Sequence, residues 1–207
     1  MSGSWVLTAG HCVDSQGITV VLGTTAIRTQ TDGSLRVVRV VRHPWYAPGH
    51  HLRYDAALLR LDTPVRSGRT VAPPTLPPSS RLTSYPGPLV VAGWGHTRED
   101  GPASDTLLET HRTESGRCFR QGLQRRLHVC TLIRNHRATC YGDSGAPLMP
   151  EPGTGSPSSV SPAASSAIIR AERGAGELLR PVTALVDWIR HPIHHHTEPL
   201  EQQGRQH

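Results

Sequence analysis

The sequence predicts an all-β fold, either one large domain or two small barrels packed together, closed by one amphipathic helix. Three observations carry this. The 207 residues include 20 Gly and 18 Pro, which makes turns frequent and long helices rare. Short Val-, Leu- and Ile-rich runs recur between those turns. Val182, Leu185, Val186 and Ile189 fall at i, i+3, i+4 and i+7, the one convincing helical stripe.

The elements follow in order. Ile18 to Leu22 is a β-like run that stops at Gly23, and Leu35 to Val41 is a Val-rich run. Ala56 to Leu61 follows and ends at Asp62-Thr63-Pro64. Residues 71–88 are Pro-rich and read as an extended connector between two halves. Leu89-Val90-Val91-Ala92 then starts a new strand. Residues 151–166 are of low complexity, built from Ser, Pro, Gly and Ala. After the helical stripe, the polar, His-rich tail 191–207 is expected to be disordered. The expected organisation is therefore a first unit over 1–70, the connector 71–88, a second unit with its helix over 89–190, and the tail.

Composition narrows the function classes. Apolar residues make up 36% and aromatics 4%, with Phe119 the single Phe, so the core must be built from aliphatic residues and four Trp. Net charge is +6, and every one of the 22 basic residues is Arg. Guanidinium groups hold planar anions by paired hydrogen bonds, so anionic glycans are a candidate partner. No basic patch is interleaved with aromatics as base stacking requires, so nucleic acid is not expected. No apolar run approaches a membrane span. No signal peptide opens the chain at Met1-Ser2-Gly3-Ser4, which reads as a fragment of a longer protein.

The cysteines are Cys12, Cys118, Cys130 and Cys140, with no CxxC pair, so a zinc ribbon is not expected. His194-His195-His196 sits in the tail with nothing to orient the rings, and no metal or other cofactor is assigned. The remaining histidines, among them His43, His96 and His111, read as surface residues.

Chemistry concentrates in a few segments. Gly142-Asp143-Ser144-Gly145 sets a serine between glycines in a tight turn, where the N–H groups of Gly142 and Ser144 can converge on an oxyanion. A serine hydroxyl is inert at its own pKa and needs an imidazole. That imidazole needs a carboxylate to fix its tautomer. Thirteen histidines are available, so only sequence context can single one out.

The context is supplied by three motifs. Trp5 to Cys12 (WVLTAGHC), Tyr54 to Leu61 (YDAALLRL) and Cys140 to Leu148 (CYGDSGAPL) resemble the histidine, aspartate and serine motifs of the chymotrypsin/trypsin family of serine endopeptidases. Their order, His then Asp then Ser, differs from that of subtilisins and α/β-hydrolases. Val91 to Gly95 resembles the start of the family's second barrel, and Val182 to Ile189 its closing helix. Val129 to Arg134 and the all-Arg basic balance look like neutrophil elastase and proteinase 3.

The resemblance implies two packed antiparallel Greek-key β-barrels, the first incomplete, with a C-terminal α-helix and a triad of His11, Asp55 and Ser144 in the cleft. It implies peptide or protein substrates, serine protease inhibitors as further partners, and an extracellular or secretory-granule location. Ala138 falls at the base of the primary specificity pocket and Glu177 at a second pocket position, implying cleavage after small or medium apolar residues. Cys118 and Cys130 match the family's local loop disulfide. Leu89 and Pro150 stand where another family bridge would be.

Departures from the pattern set the alternatives. The family's Ile-Val-Gly-Gly-like terminus, whose ammonium would pair with Asp143, has no counterpart in this sequence. Cys12 lacks its upstream partner, and Ala175 stands where a partner for Cys140 is expected. The strand that pairs with substrate is altered around Ile168 to Glu172, with Arg170 replacing a family Ser. A catalytically silent homologue or truncated isoform that acts by binding is therefore the competing reading. An arginine-based binder of anionic surfaces is the third.

Overall fold

The computed structural model describes residues 3–27, 34–47, 54–74, 76, 87–115, 129–132, 139–151, 167–168 and 176–195. The first half forms four antiparallel strands: β1 (Trp5–Thr8), β2 (Thr19–Val20), β3 (Leu35–Arg42) and β4 (Ala57–Leu61). They lie in the order β1-β4-β3-β2. The central strand β4 is apolar on both faces because both are covered. Ala57 and Leu59 pack with Val13 on one side, while Leu58 packs with Trp5, Ala9 and Ala56 on the other.

The second half contributes β5 (Pro88–Gly93), β6 (Leu108–Glu114), β7 (Val129–Leu132), β8 (Pro147–Pro150), β9 (Ala167–Ile168) and β10 (Gly176–Pro181). These close into an antiparallel barrel in the order β10-β7-β6-β5-β8-β9, around Leu89, Val91, Val129 and Leu148. The two-unit all-β architecture expected from the sequence is thus present, the second unit closed and the first an open sheet. Leu89 and Pro150 are direct cross-strand partners, so the place of the absent bridge is filled by ordinary strand pairing.

The C-terminal segment ties the halves together. After a 3-10 turn at Val182–Ala184, helix α1 runs from Val186 to His195. Val182, Leu185, Val186 and Ile189 are fully buried against Trp5, Ala9, Ala56 and Leu58 of the first half. Burying each such aliphatic side chain contributes about 1.5–3 kcal/mol. The stripe docks as expected, although its first turn is 3-10 rather than α. Backbone bonds from Ile27 N–H to Asp105 O (3.0 Å) and from Leu107 N–H to Thr25 O (2.6 Å) add a second tie between the halves.

Two expectations need correction. The helix passes through Pro192 and ends at His195, so residues 191–195 are ordered rather than part of a disordered tail. Ile193 explains the extension, because it packs against the core that holds Ile189. His43 is a core residue and not a surface one. Its ring stacks on Tyr54 at 4.4 Å and meets Trp188 at 4.9 Å. The Pro-rich connector is described only at residues 71–74, 76 and 87–88; the low-complexity stretch beyond Glu151 and most of the altered strand after Ile168 lie outside the described residues.

Candidate active site

His11 lies in a single 3-10 turn, Gly10–Val13, that follows β1. Glycine at position 10 lets this turn approach the next strand closely. A Cβ there would sit 3.0 Å from Asp55 Oδ1 and 3.1 Å from the Tyr46 ring. The approach brings His11 N–H to Asp55 Oδ1 at 2.9 Å and the ring Nδ1 to Asp55 Oδ2 at 2.6 Å. One carboxylate therefore fixes both the backbone and the ring of the histidine.

Asp55 is buried and lies two residues before the start of β4. Its neighbour Tyr54 adopts φ 52°, a left-handed conformation that costs a non-glycine residue about 1–2 kcal/mol. The stacking of Tyr54 on His43, and its edge contact with Trp45 at 4.9 Å, hold that conformation. The strain sits where the chain must turn the carboxylate toward His11.

The serine loop is built around Asp143. Its carboxylate accepts hydrogen bonds from Gly95 N–H at 2.8 Å and from Cys140 N–H at 2.9 Å. Gly142 and Gly145 adopt φ 91° and 88°, conformations glycine takes at no steric cost. Gly145 lies so close to Thr8 that a Cβ would overlap the threonine hydroxyl. The loop thus packs directly on the strand that leads to His11. Cys12 completes the junction, its thiol donating to the Ser144 carbonyl oxygen at 3.5 Å while its sulfur stands 3.6 Å from His11 Nε2.

The ring of His11 is pushed up from its ordinary 6.5 to about 10. The hydrogen bond to Asp55 is the main cause and the contact with Cys12 the second, while partial burial works in the opposite direction.

The structure therefore brings His11, Asp55 and the Ser144 segment to one junction between the halves. Glu177 lies on β10 opposite Thr131. Ala138 and Cys118 lie outside the described residues, whereas Cys130 is disulfide-bonded. Cys12 and Cys140 are free thiols. Among the described residues, no group of His, Cys, Asp and Glu is arranged to hold a metal ion, and no helix is long and apolar enough to cross a membrane. Two relationships escaped sequence reasoning: the backbone cradle of Asp143 on Gly95, and the contact of Cys12 with the ring beside it. The adjacency of residues 11 and 12 was the available signal for the second.

Two antiparallel β units, a closing helix, and a histidine–carboxylate pair meeting a glycine-flanked serine define a protein of the trypsin-like class. The family model described as Trypsin matches residues 1–189, and the chain belongs to that family. It is 34% identical to chymotrypsin-like elastase family member 1 of Bos taurus over 155 residues, covering 70% of this chain and 58% of that protein. It is 31% identical to granzyme M of Homo sapiens over 155 residues, covering 70% of this chain and 60% of that protein. The aligned part thus spans less than two thirds of these relatives. Among solved structures, a mutant of human heparin binding protein (CAP37) superposes with a TM-score of 0.78 at 23% identity, over 96% of this chain and 85% of that one, a likeness of fold. A structure titled GrC superposes with a TM-score of 0.78 at 26% identity, over 94% and 85% respectively.

Proposed function

We propose that this chain is a serine endopeptidase acting through an acyl-enzyme. Ser144 Oγ attacks the peptide carbonyl as His11 takes its proton at Nε2. Asp55 holds the Nδ1–H tautomer and stabilises the imidazolium, and the N–H groups of Gly142 and Ser144 receive the oxyanion. His11 then returns its proton to the leaving amine, and water repeats the sequence to release the acid. No cofactor takes part.

The observation that carries this reading is the 2.6 Å contact between His11 Nδ1 and Asp55 Oδ2. It leaves Nε2, which stands 3.6 Å from the Cys12 sulfur, as the ring nitrogen not taken by the carboxylate. Membership of the Trypsin family supports the same chemistry. Small or medium apolar residues before the scissile bond, a pocket involving Ala138 and Glu177, serine protease inhibitors as partners and an extracellular or granule location extend the reading from the resemblance. Hydrolysis of a peptide series varied at that residue is the test. Turnover of the Ala, Val and Leu members, lost in Ser144→Ala, is expected. Preference for Arg, or no turnover of any member, contradicts it.

A second reading, a silent homologue that acts by binding, is favoured by one observation. The nitrogen a serine would need lies against the Cys12 thiol, and the ring is held as imidazolium at neutral pH. Anionic glycans are the partner implied by the separate, third reading of an arginine-based binder.

A further inference from the structure

His43 meets both residues that flank Asp55. Its backbone N–H donates to Ala56 O at 3.0 Å, which carries the pairing of β3 with β4 one step past Arg42. Its ring stacks on Tyr54 at 4.4 Å, the two planes only 15° apart. Tyr54 and Ala56 are joined in turn by a bond from Ala56 N–H to Tyr54 O at 2.8 Å, so Asp55 is the middle residue of a three-residue turn. Both ends of that turn rest on His43.

The supporting ring is itself fixed. Trp45 N–H donates to His43 Nδ1 at 3.3 Å, which leaves the ring proton on Nε2. Tyr46 N–H donates to His43 O at 2.9 Å, and the Trp188 ring of α1 backs the imidazole at 4.9 Å. Tyr54 keeps φ 52°, which sterics disfavour for a residue with a Cβ, while its ring is held in this way.

We propose that His43 is a positioning residue for Asp55: through Tyr54 and Ala56 it sets where the carboxylate stands relative to His11. The consequence for catalysis rests on the endopeptidase reading, whereas the hold on the carboxylate stands on geometry alone. The two bonds from His11 to Asp55, at 2.6 and 2.9 Å, have little slack. A retreat of the carboxylate by about 1 Å takes both out of hydrogen-bond range. A misplacement of that size costs on the order of 10²-fold in rate. The shorter bond is also the main reason the His11 ring is raised to about 10, so the titration of that ring reports the position of the carboxylate without any turnover.

The experiment compares wild type with His43→Ala, His43→Phe, Tyr54→Gly and Leu89→Ala, the last a truncation in the core of the second barrel. The His11 ring, assigned by its loss in His11→Ala, is titrated by NMR. The limiting rate of fluorophosphonate labelling at Ser144 above that midpoint is measured, and circular dichroism checks folding. In His43→Ala the His11 midpoint falls by about one unit or more, and the limiting rate drops on the order of 10²-fold. Tyr54→Gly, which reaches φ 52° without strain but has no ring to hold, behaves alike. His43→Phe keeps a flat ring against Tyr54 and recovers part of both effects. Leu89→Ala, a core loss elsewhere, keeps the wild-type midpoint. A midpoint unchanged in His43→Ala and Tyr54→Gly overturns the proposal, and so does an equal fall in Leu89→Ala. Lowered midpoints in a protein whose wild type takes no label at any pH uphold the hold on Asp55 and overturn the endopeptidase reading instead. If His43→Ala does not fold, Tyr54→Gly decides alone, since residue 54 is only half-buried.

Discussion

Gly95 and Asp143 are fitted to one another. The Gly95 N–H donates to Asp143 Oδ1 at 2.8 Å, and a Cβ at position 95 would overlap the carboxylate itself. The residue before the serine is thereby anchored to the segment following β5. Gly95→Ala must push Asp143 aside and carry the Gly142 and Ser144 N–H groups with it. Loss of a well-aimed oxyanion donor costs on the order of 10²–10³ in rate. Fluorophosphonate labelling of Gly95→Ala is expected to fall by about that factor, with secondary structure by circular dichroism unchanged.

Asp55→Asn tests the orientation of the base. An amide nitrogen facing Nδ1 favours the wrong tautomer, putting the ring proton on Nε2, where the reaction needs a lone pair. Turnover or labelling is expected to drop on the order of 10³–10⁴ while the protein stays folded. Steady-state peptide hydrolysis, or labelling followed by intact mass, measures it.

The raised ring of His11 makes a stability prediction with a definite sign. The folded value, about 10, lies above the ordinary 6.5 expected for the unfolded chain. Protonation of His11 therefore favours the native state, fully so below about 6.5, and this contribution is lost as pH rises through about 10. Thermal melting of wild type and His11→Ala across this range is expected to show the largest gap at the acidic end and a shrinking one towards the alkaline end. A gap that grows with pH contradicts the assignment.

Ile189 and Leu185 hold α1 on the first sheet and are fully buried. Ile189→Ala is expected to cost about 2–5 kcal/mol, the range for truncating a large aliphatic core residue. Denaturant unfolding measures it. Because the helix joins the two halves, the loss should appear as one cooperative transition shifted to lower denaturant.

The sequence made particular parts of this molecule legible for physical reasons. The run Ala56 to Leu61 reads as a strand, and the stripe from Val182 to Ile189 as a docking face, since burial leaves apolar marks. His11, Asp55 and Ser144 are legible as candidates because the segments WVLTAGHC, YDAALLRL and CYGDSGAPL resemble the motifs of one family, although the Asp55 segment holds no turn-forming glycine. His43 left no such mark. Its burial depends on Tyr54 and Trp188, which reach it from distant parts of the chain. For the Cys12–His11 contact the sequence offers only the adjacency of the two residues, which does not show where the sulfur points. Pro192 and the histidines around it argue locally for an ending before His195, while the packing of half-buried Ile193 against the core argues otherwise only in three dimensions.

Labelling with a fluorophosphonate, followed by mapping of the adduct, addresses the triad most directly. One adduct on Ser144, absent in Ser144→Ala, strongly slowed in His11→Ala and faster as pH rises, is the expected result. Well-folded protein that takes no adduct at any pH, or that is modified at another residue at the same rate in His11→Ala, would contradict it.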